Sequence, residues 1–456
     1  MANTVNGLLT TYGRTALVEI MYAVPGLGVT GGTAANAYVF FGKADAWPDD
    51  ANPPAPTEDQ FNIKKINKNI IALKKLLTPS TSPVVPRYDW TSGDVYIQYT
   101  DYDDIFKYDN NGIMDNIFYV RNSYDQIFKC LCNNNGSDST VEPVIQPGNT
   151  NIGEVLILED GYKWIYVTTI DKGLKKSFFD NQWMPIFVGY NTPNALVAAG
   201  FGQIDAINVT ANGSNYPTNT TTRIVVSGDG YGATAVANAY NGVIQQIYVT
   251  NPGTNYTYAN VAIISESANG TGATANAVIS PIGGHGYDPV SELGCNHIMI
   301  TAEFDNSEST EISASQSGQP YLPTNMAFRQ AGIIIFPIQS DGVVASQSVY
   351  NACDLAAVTV GASPYVSGET VYQPGFSAVM VSHDTGNNLV SLINTEGTYT
   401  LGQPLVGQTS GVSRVMLQYS PSLYSIGSGY LMYVENRSAV QRNPNGNEQL
   451  RLVLRF

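Results

Sequence analysis

Three histidines, His285, His297 and His383, are the side chains in this sequence best suited to acid–base or metal chemistry. Such chemistry needs a nucleophile, a carboxylate or a second ligand at a suitable spacing. His285 lies in a Gly-Gly-His-Gly turn, and neither it nor His297 has a histidine or carboxylate at a standard metal-ligand spacing. The motifs G-x-S-x-G, H-E-x-x-H and G-x-x-x-x-G-K are also missing. We therefore expect turn or packing roles for His285 and His297, and neither a catalytic residue nor a cofactor.

Two acidic segments could bind a cation or supply paired carboxylates. Asp101, Asp103 and Asp104 could chelate calcium or serve a glycoside hydrolase. The segment 109–112 begins like a calcium loop, but its twelfth position is Val120, which cannot supply the closing carboxylate. We expect no metal site here, although a cation at residues 101–104 stays open.

The four cysteines are Cys130, Cys132, Cys295 and Cys353. Cys130 and Cys132 are too close for an ordinary disulfide and lack a second pair with zinc spacing. We expect all four to be reduced, partly buried small hydrophobes.

Charge and hydropathy restrict the partners. The formal net charge is −15, and an acidic surface repels phosphate backbones, so we expect no nucleic-acid partner. No apolar run approaches the roughly 18 to 20 residues of a membrane span, and residues 1–24 do not resemble a signal peptide. The sequence predicts a soluble protein of the cytosol.

Composition predicts an all-β fold. Only 13% of residues are charged, whereas glycine (43) and tyrosine (29) are frequent. Glycine and asparagine suit tight turns, and Val, Thr and Tyr suit pleated surfaces. One amphipathic helix is predicted near residues 57–78, where apolar residues recur at three- and four-residue steps after a capping-box pair, Thr57 and Gln60.

An internal repeat occupies the middle of the chain. Residues 202–235 recur forty residues later, including Gly-x-Asn-Tyr turns that end at Tyr216 and Tyr256 and glycine-rich corners at Gly230 and Gly270. Two such units are expected to pack together as one small β domain.

The predicted architecture is a multi-domain β-sandwich core with inserted β modules and a few short helices. The core comprises residues 1–200, 282–340 and 421–456. The tandem repeat (201–281) and a second module (341–420) are inserted in it. Residues 449–456 alternate apolar and polar side chains, as in a strand tied into a sheet.

Several short segments carry a family resemblance in a fixed order. They are YVFFGKADAW (38–47) with PPAPT (53–57), VPRYDW (85–90), EP (142–143) with DGYKWIY (160–166), LP (322–323) with FRQAGI (328–333), and SGYLMYVENR (428–437). Together they resemble the gene-eight baseplate wedge subunits of T-even-type contractile-tailed bacteriophages. The repeat and the 341–420 module depart from that pattern.

The resemblance implies a structural, non-enzymatic, all-β subunit of the virion, made in the host cytoplasm, that forms a homodimer and binds other baseplate wedge proteins. It would help to assemble the baseplate and take part in the rearrangement that triggers sheath contraction. Six residues could anchor an interface or pack the core: Arg87, Trp90, Trp164, Arg329, Tyr433 and Arg437.

Two other functions are open. A receptor- or glycan-binding tail protein could use the turns at Asn215-Tyr216 and Asn255-Tyr256 to stack on sugars. A virion glycan hydrolase would need two carboxylates at catalytic separation, and the sequence shows no convincing pair.

Overall fold

The computed structural model describes residues 7–11, 13, 36–77, 80–100, 105–109, 114–146, 154–186, 202–218, 222–266, 269–281, 283–305, 322–444 and 446–455. Strands form 49% and helices 6% of the chain, which confirms the all-β prediction. The described residues contain 26 strands and three helices, numbered below in chain order. The acidic cluster at 101–104 lies outside the described residues.

Two sheets pack face to face as the sandwich core. The six-stranded sheet has the order β1 (Gly7–Leu9), β25 (Tyr430–Arg442), β17 (Met326–Ile335), β2 (Ala37–Gly42), β3 (Ile70–Lys75) and β18 (Val349–Asn351). The four-stranded sheet has the order β26 (Glu448–Arg455), β16 (His297–Phe304), β4 (Thr81–Pro86) and β9 (Trp183–Pro185). Side chains of both sheets share one core.

Strand β2 shows how the sequence produces these layers. Ala37, Val39 and Phe41 point into the core between the sheets, whereas Tyr38 and Phe40 point to the opposite face. Helix α1 (Gln60–Lys68) covers that second face through Ile66. Because both faces are covered, the strand is buried at every position.

A third sheet lies beside the sandwich. Its order is β5 (Tyr119–Arg121), β6 (Gln126–Cys132), β8 (Lys163–Thr169) and β7 (Leu156–Ile157). Helix α2 (Lys172–Phe178) follows it in the chain, and Phe178 packs on the outer face of the four-stranded sheet. A third short helix, α3 (Pro289–Glu292), precedes β16.

The forty-residue repeat folds into a closed six-stranded barrel. Its strands are β10 (Ile204–Ser214), β11 (Thr222–Gly228), β12 (Thr234–Tyr240), β13 (Val243–Asn251), β14 (Ala259–Ser265) and β15 (Thr271–Ile279). Two of the three pairs of equivalent strands are neighbours, β10 with β13, as at Ile207 opposite Ile247, and β11 with β14. The two units therefore form a single barrel, and neither closes alone.

The barrel docks on the third sheet. Ala206 and Val278 pack against Leu131 and Ile165, and the Asn208 side-chain amide donates to the Leu131 carbonyl at 2.6 Å.

A second closed barrel follows β18. Its strands are β19 (Asp354–Val358), β20 (Thr370–Gln373), β21 (Phe376–Asp384), β22 (Leu389–Gly397), β23 (Pro404–Gly407) and β24 (Ser413–Ser420). Val381 and Ile393 pack into the sandwich core. Strand β18, which the predicted 341–420 module included, instead pairs with β3 in the six-stranded sheet.

The helix predicted over 57–78 is wrong in its second half. The helix ends at Lys68, and β3 begins at Ile70 after the cap residue Asn69. Ile70, Ile71, Ala72 and Leu73 form a continuous apolar run buried on both faces, and strand pairing satisfies their backbone groups there. Asp59, rather than Thr57, caps the helix, because its carboxylate accepts from the Asn62 amide at 2.9 Å.

Two other predictions can be compared with the structure. Residues 95–99 are a strand candidate by sequence, but the segment is irregular in the structure, although Ile97 and Tyr99 donate backbone hydrogen bonds to Ile117 and Cys130. The four cysteines are free, with Cys130 and Cys353 buried, as expected.

Candidate interaction site

Three of the segments that carry the resemblance meet around one cavity of 220 Å³, here called the Pro-loop pocket. Residues 43–57 form one wall, helix α1 forms another, and β17 and β25 close the inner side. The residues that matter for its chemistry are Lys43, Trp47, Lys65, Asn69, Gln330 and Asn436. Segments from opposite ends of the sequence therefore build this pocket together.

Arg329 holds the wall in place. Its guanidinium makes a forked ion pair with Asp50, with Nε–Oδ1 and Nη2–Oδ2 both 2.8 Å, and donates to the Ala44 carbonyl. The hydrogen bond from Arg329 lowers the pKa of Asp50. Asp50 in turn accepts from the Trp47 amide at 2.8 Å. Such bidentate pairs fix geometry strongly, so Arg329 orders the loop.

The pocket is lined by amides and by cations. Asn436 donates to the Pro54 carbonyl at 2.7 Å and accepts from Gln330 at 2.7 Å. The buried Lys43 ammonium pairs with Asp45 at 2.6 Å and lies 4.3 Å from the centre of the Trp47 ring. Lys65 is exposed on the helix wall.

Gln330 adds an unpaired hydrogen-bond acceptor. Only 4% of this residue is exposed, and among the described residues its side-chain oxygen Oε1 has no hydrogen-bond partner. An amide or ammonium N–H of a ligand could donate to this oxygen. A buried polar group without a partner is costly, and a ligand in the pocket would satisfy it.

The pocket lining combines aromatic, amide and cationic side chains. Its volume suits one or two inserted side chains. An aromatic wall, two cations and amide groups could contact a side chain that a partner inserts.

The remaining segments form a second cluster at the third sheet. The Trp90 indole donates to Ser139, and Asp160 accepts from the amides of Thr140 and Val141. Tyr162 donates to the Ser137 carbonyl at 2.6 Å and stacks on Trp164 at 5.6 Å. These contacts join segments 85–90 and 160–166 through residues 137–141.

Arg87 lies at the exposed side of this corner. Its guanidinium pairs with Asp89 and lies 4.6 Å from the centre of the Phe179 ring, while Arg121 lies 4.8 Å from the same ring. Burial raises the pKa of Asp89, but Arg87 and Arg121 outweigh that effect and the net shift is downward. Arg87 is a quarter exposed and can contact a partner without leaving this cluster.

The six predicted anchor residues divide into two groups. Trp164 and Tyr433 are buried core residues, and Arg329 orders the Pro-loop pocket from within. Arg87, Trp90 and Arg437 are partly exposed, and the Arg437 carbonyl accepts from the Trp47 indole at 3.1 Å.

A buried ionic network joins the repeat barrel to the core, and sequence reasoning missed it. His285 lies between Asp205 of β10 and Glu292 of α3, at 2.6 and 2.5 Å. Lys129 of β6 pairs with Glu292 at 2.7 Å. The turn role expected for His285 is therefore incomplete, since the ring bridges two carboxylates. The sequence signal was a carboxylate seven residues after the histidine, which is not a metal-ligand spacing.

Charges within the network set its protonation. Burial lowers the pKa of His285, as does Lys129, but Asp205 and Glu292 outweigh them and the net shift is upward. Burial raises the pKa of Glu292, but Lys129 and His285 reverse this and hold it below its usual range. All four side chains are at most 8% exposed. The network holds the barrel in place.

The other two histidines have packing roles. His297 packs on Trp183 at 4.5 Å, and burial lowers its pKa to about 4. His383 accepts from the Tyr365 amide at 3.2 Å. In the part of the chain that the structure describes, no group of His, Cys, Asp and Glu is arranged to hold a metal ion. Nor does any helix there have the length and apolarity to cross a membrane.

Tyr216 and Tyr256 are not available to stack on sugars. Each is only 3% exposed and belongs to the core of the repeat barrel. The turn that carries each of them directs the ring inward, because the preceding Asn215 and Asn255 adopt positive φ angles of 61° and 62°. The glycan-stacking hypothesis is therefore wrong for these residues.

Comparison with models of known protein families and with curated protein sequences gives no match to this chain.

Proposed function

We propose that this chain is a structural, non-enzymatic subunit of the baseplate wedge in the tail of a contractile-tailed bacteriophage. The observation that supports the proposal most is the meeting of distant segments in two compact clusters. Segments 38–57, 328–333 and 428–437, which resemble the gene-eight wedge subunits, together build the Pro-loop pocket.

The proposed partners are a second copy of the chain and other wedge proteins of the same baseplate. The Pro-loop pocket would receive a side chain of one neighbour, and the surface around Arg87 would contact another. Interfaces of this kind rely on buried aromatic and arginine anchors surrounded by polar contacts. In this role the protein resides in the virion after assembly in the host cytoplasm and takes part in the rearrangement that triggers sheath contraction.

A non-enzymatic role agrees with the positions of the reactive side chains. The carboxylates nearest to a histidine, Asp205 and Glu292, are neutralised within a buried ionic network. Burial raises the pKa of Cys130, Cys295 and Cys353, which disfavours thiolate chemistry.

Light scattering after size-exclusion chromatography tests the proposal. The purified chain is measured alone and after mixing with the other wedge proteins of its phage. We expect a dimer that joins a larger complex of fixed stoichiometry. A chain whose mass is unchanged by every wedge protein would contradict the proposal.

Glycan binding is a second candidate, now supported by different tyrosines. Tyr231 and Tyr258 of the repeat barrel are 66% and 57% exposed, and exposed aromatic rings can stack on sugars. Glycan-array binding that Tyr231→Ala and Tyr258→Ala abolish, without any wedge binding, would favour an adhesin.

A further inference from the structure

Strand β26 forms an open edge of the four-stranded sheet. It pairs with β16 along its whole length, from Glu448 opposite Phe304 to Arg455 opposite His297. Among the described residues, no other strand or loop makes a backbone hydrogen bond to it. In an antiparallel pair, alternate residues point both backbone groups away from the neighbour. Every second residue of β26 therefore presents an N–H and C=O that have no backbone partner in the described part of the chain.

The other sheet edges in the described part of the chain are shorter. β1, β5, β9 and β18 have three residues each, and β7 has two. β9 and β18 are also buried throughout. β26 has eight residues, and its side chains at Gln449, Arg451 and Arg455 are exposed. A long open edge is a template for strand addition, and folds usually shorten or cover such an edge when it has no partner.

The charge on this edge is opposite to that of the chain. Arg451 and Arg455 lie on one face of β26 with Val453 between them, although the net charge of the protein is −15. Neither arginine forms an ion pair within the described residues, although Arg455 lies 5.7 Å from the centre of the Tyr108 ring. Glu448, at the start of the strand, pairs with Arg442. If two copies of β26 paired with each other, four arginines would share one face, and such repulsion disfavours self-pairing.

We propose that β26 is the docking edge for an extended segment of an acidic partner protein, which adds to the sheet as a fifth strand. Backbone hydrogen bonds would supply affinity, and the side chains facing Arg451, Val453 and Arg455 would supply specificity. Since residues directly opposite each other alternate along paired strands, the partner segment has the pattern acidic-x-apolar-x-acidic. This inference does not require the wedge proposal, because it concerns a different surface and any acidic partner.

Peptide binding to the full-length chain tests the inference. Fluorescence anisotropy is measured with labelled Thr-Glu-Thr-Val-Thr-Glu-Thr and with the same peptide carrying lysine in place of glutamate. We expect about tenfold tighter binding of the glutamate peptide, from two cross-strand charge pairs. The Arg451→Glu/Arg455→Glu variant should reverse the preference by a similar factor. Both side chains are exposed, so far-UV circular dichroism and thermal unfolding should show a retained fold.

Three results would overturn the inference. They are the absence of binding by either peptide, equal affinity for both peptides, and an unchanged preference in the folded double variant. Hydrogen exchange distinguishes binding of another protein at β26 from self-association of two copies of this chain. If the β26 amides became protected as protein concentration rose, with formation of a dimer, the edge would belong to self-association instead.

Discussion

Replacing Tyr256 with alanine should open the repeat barrel, and Tyr216 should behave in the same way. The Tyr256 ring lies over Gly230 of the other unit, where a Cβ atom would collide with it, and its hydroxyl accepts from the Ala233 amide at 3.3 Å. Tyr216 packs over Gly270 in the same manner and accepts from the Ala273 amide at 3.3 Å. Each tyrosine ring therefore packs one repeat unit against the other.

The expected magnitude follows from burial. Removing a buried aromatic ring costs about 3–5 kcal/mol, and leaving the alanine amide without its acceptor adds about 1 kcal/mol. A local destabilisation of about 4–6 kcal/mol raises amide exchange rates in the barrel by roughly 10³- to 10⁴-fold. Because the two units are related by the repeat, Tyr216→Ala and Tyr256→Ala should differ by less than about 1 kcal/mol.

Hydrogen exchange read by mass spectrometry measures this effect. Peptides from residues 204–279 report the repeat barrel, and peptides from 354–420 report the second barrel as an internal standard. Tyr231→Ala is the matched control, because this ring is 66% exposed and its removal should change stability by less than about 0.5 kcal/mol. Equal exchange in control and test variants, or a large effect at only one of Tyr216 and Tyr256, would refute the interlocked barrel.

The remaining predictions concern the ionic network and the pocket. The pKa of His285 is raised on folding. Its contribution to stability is therefore fully present below the unfolded pKa of about 6.5, and it is lost as the pH rises through the folded pKa. The unfolding temperature of the native chain should fall between about pH 6 and pH 8.5, and that of His285→Gln should fall less. An identical dependence of unfolding temperature on pH in both proteins would contradict this. Lys129→Met leaves the Glu292 carboxylate buried without its lysine partner. This substitution should lower the free energy of unfolding, measured in urea, by about 3–5 kcal/mol. A decrease below about 1 kcal/mol would exclude a structural ion pair. Lys65→Glu should weaken binding of the wedge partner at the Pro-loop pocket several-fold, as measured by light scattering or calorimetry. Lys64→Glu, on the same helix but outside the pocket, should leave the affinity unchanged. Equal effects of the two substitutions would show that only net charge matters.

Local patterns in the sequence predicted the elements that depend on near neighbours. The alternation of Leu450, Leu452 and Leu454 placed their side chains on one face of β26, and the structure packs all three against the sandwich core. The repeat was visible because glycine, asparagine and tyrosine recur at one offset. Its Asn215 and Asn255 adopt the positive φ that such turns require.

Contacts between distant segments could not be predicted in the same way. The partner of Tyr256 is a glycine in the other unit, so its burial depends on how the two units close. The ionic network brings together Lys129, Asp205 and Glu292 from three separate elements. The helix prediction overran because Ile70, Leu73 and Leu77 fit a helical period as well as a short apolar strand, and pairing with β2 decided the outcome.

The resemblance identified segments of the sequence but not how these segments are arranged in the fold. Only the folded chain shows that residues 38–57 meet β17 and β25 at a cavity, and that Gln330 lines it with a side-chain oxygen that has no hydrogen-bond partner among the described residues. The pocket is therefore a candidate contact surface of the proposed subunit, which neither composition nor motif spacing could locate.

Immunogold electron microscopy of intact virions is the most direct test of the central proposal. Antibodies against the purified chain are applied to particles of the phage that encodes it, before and after sheath contraction. A baseplate wedge subunit should place gold at the end of the tail in both states. Labelling confined to the fibres or the capsid, or no labelling of particles that mass spectrometry shows to be complete, would contradict the proposal.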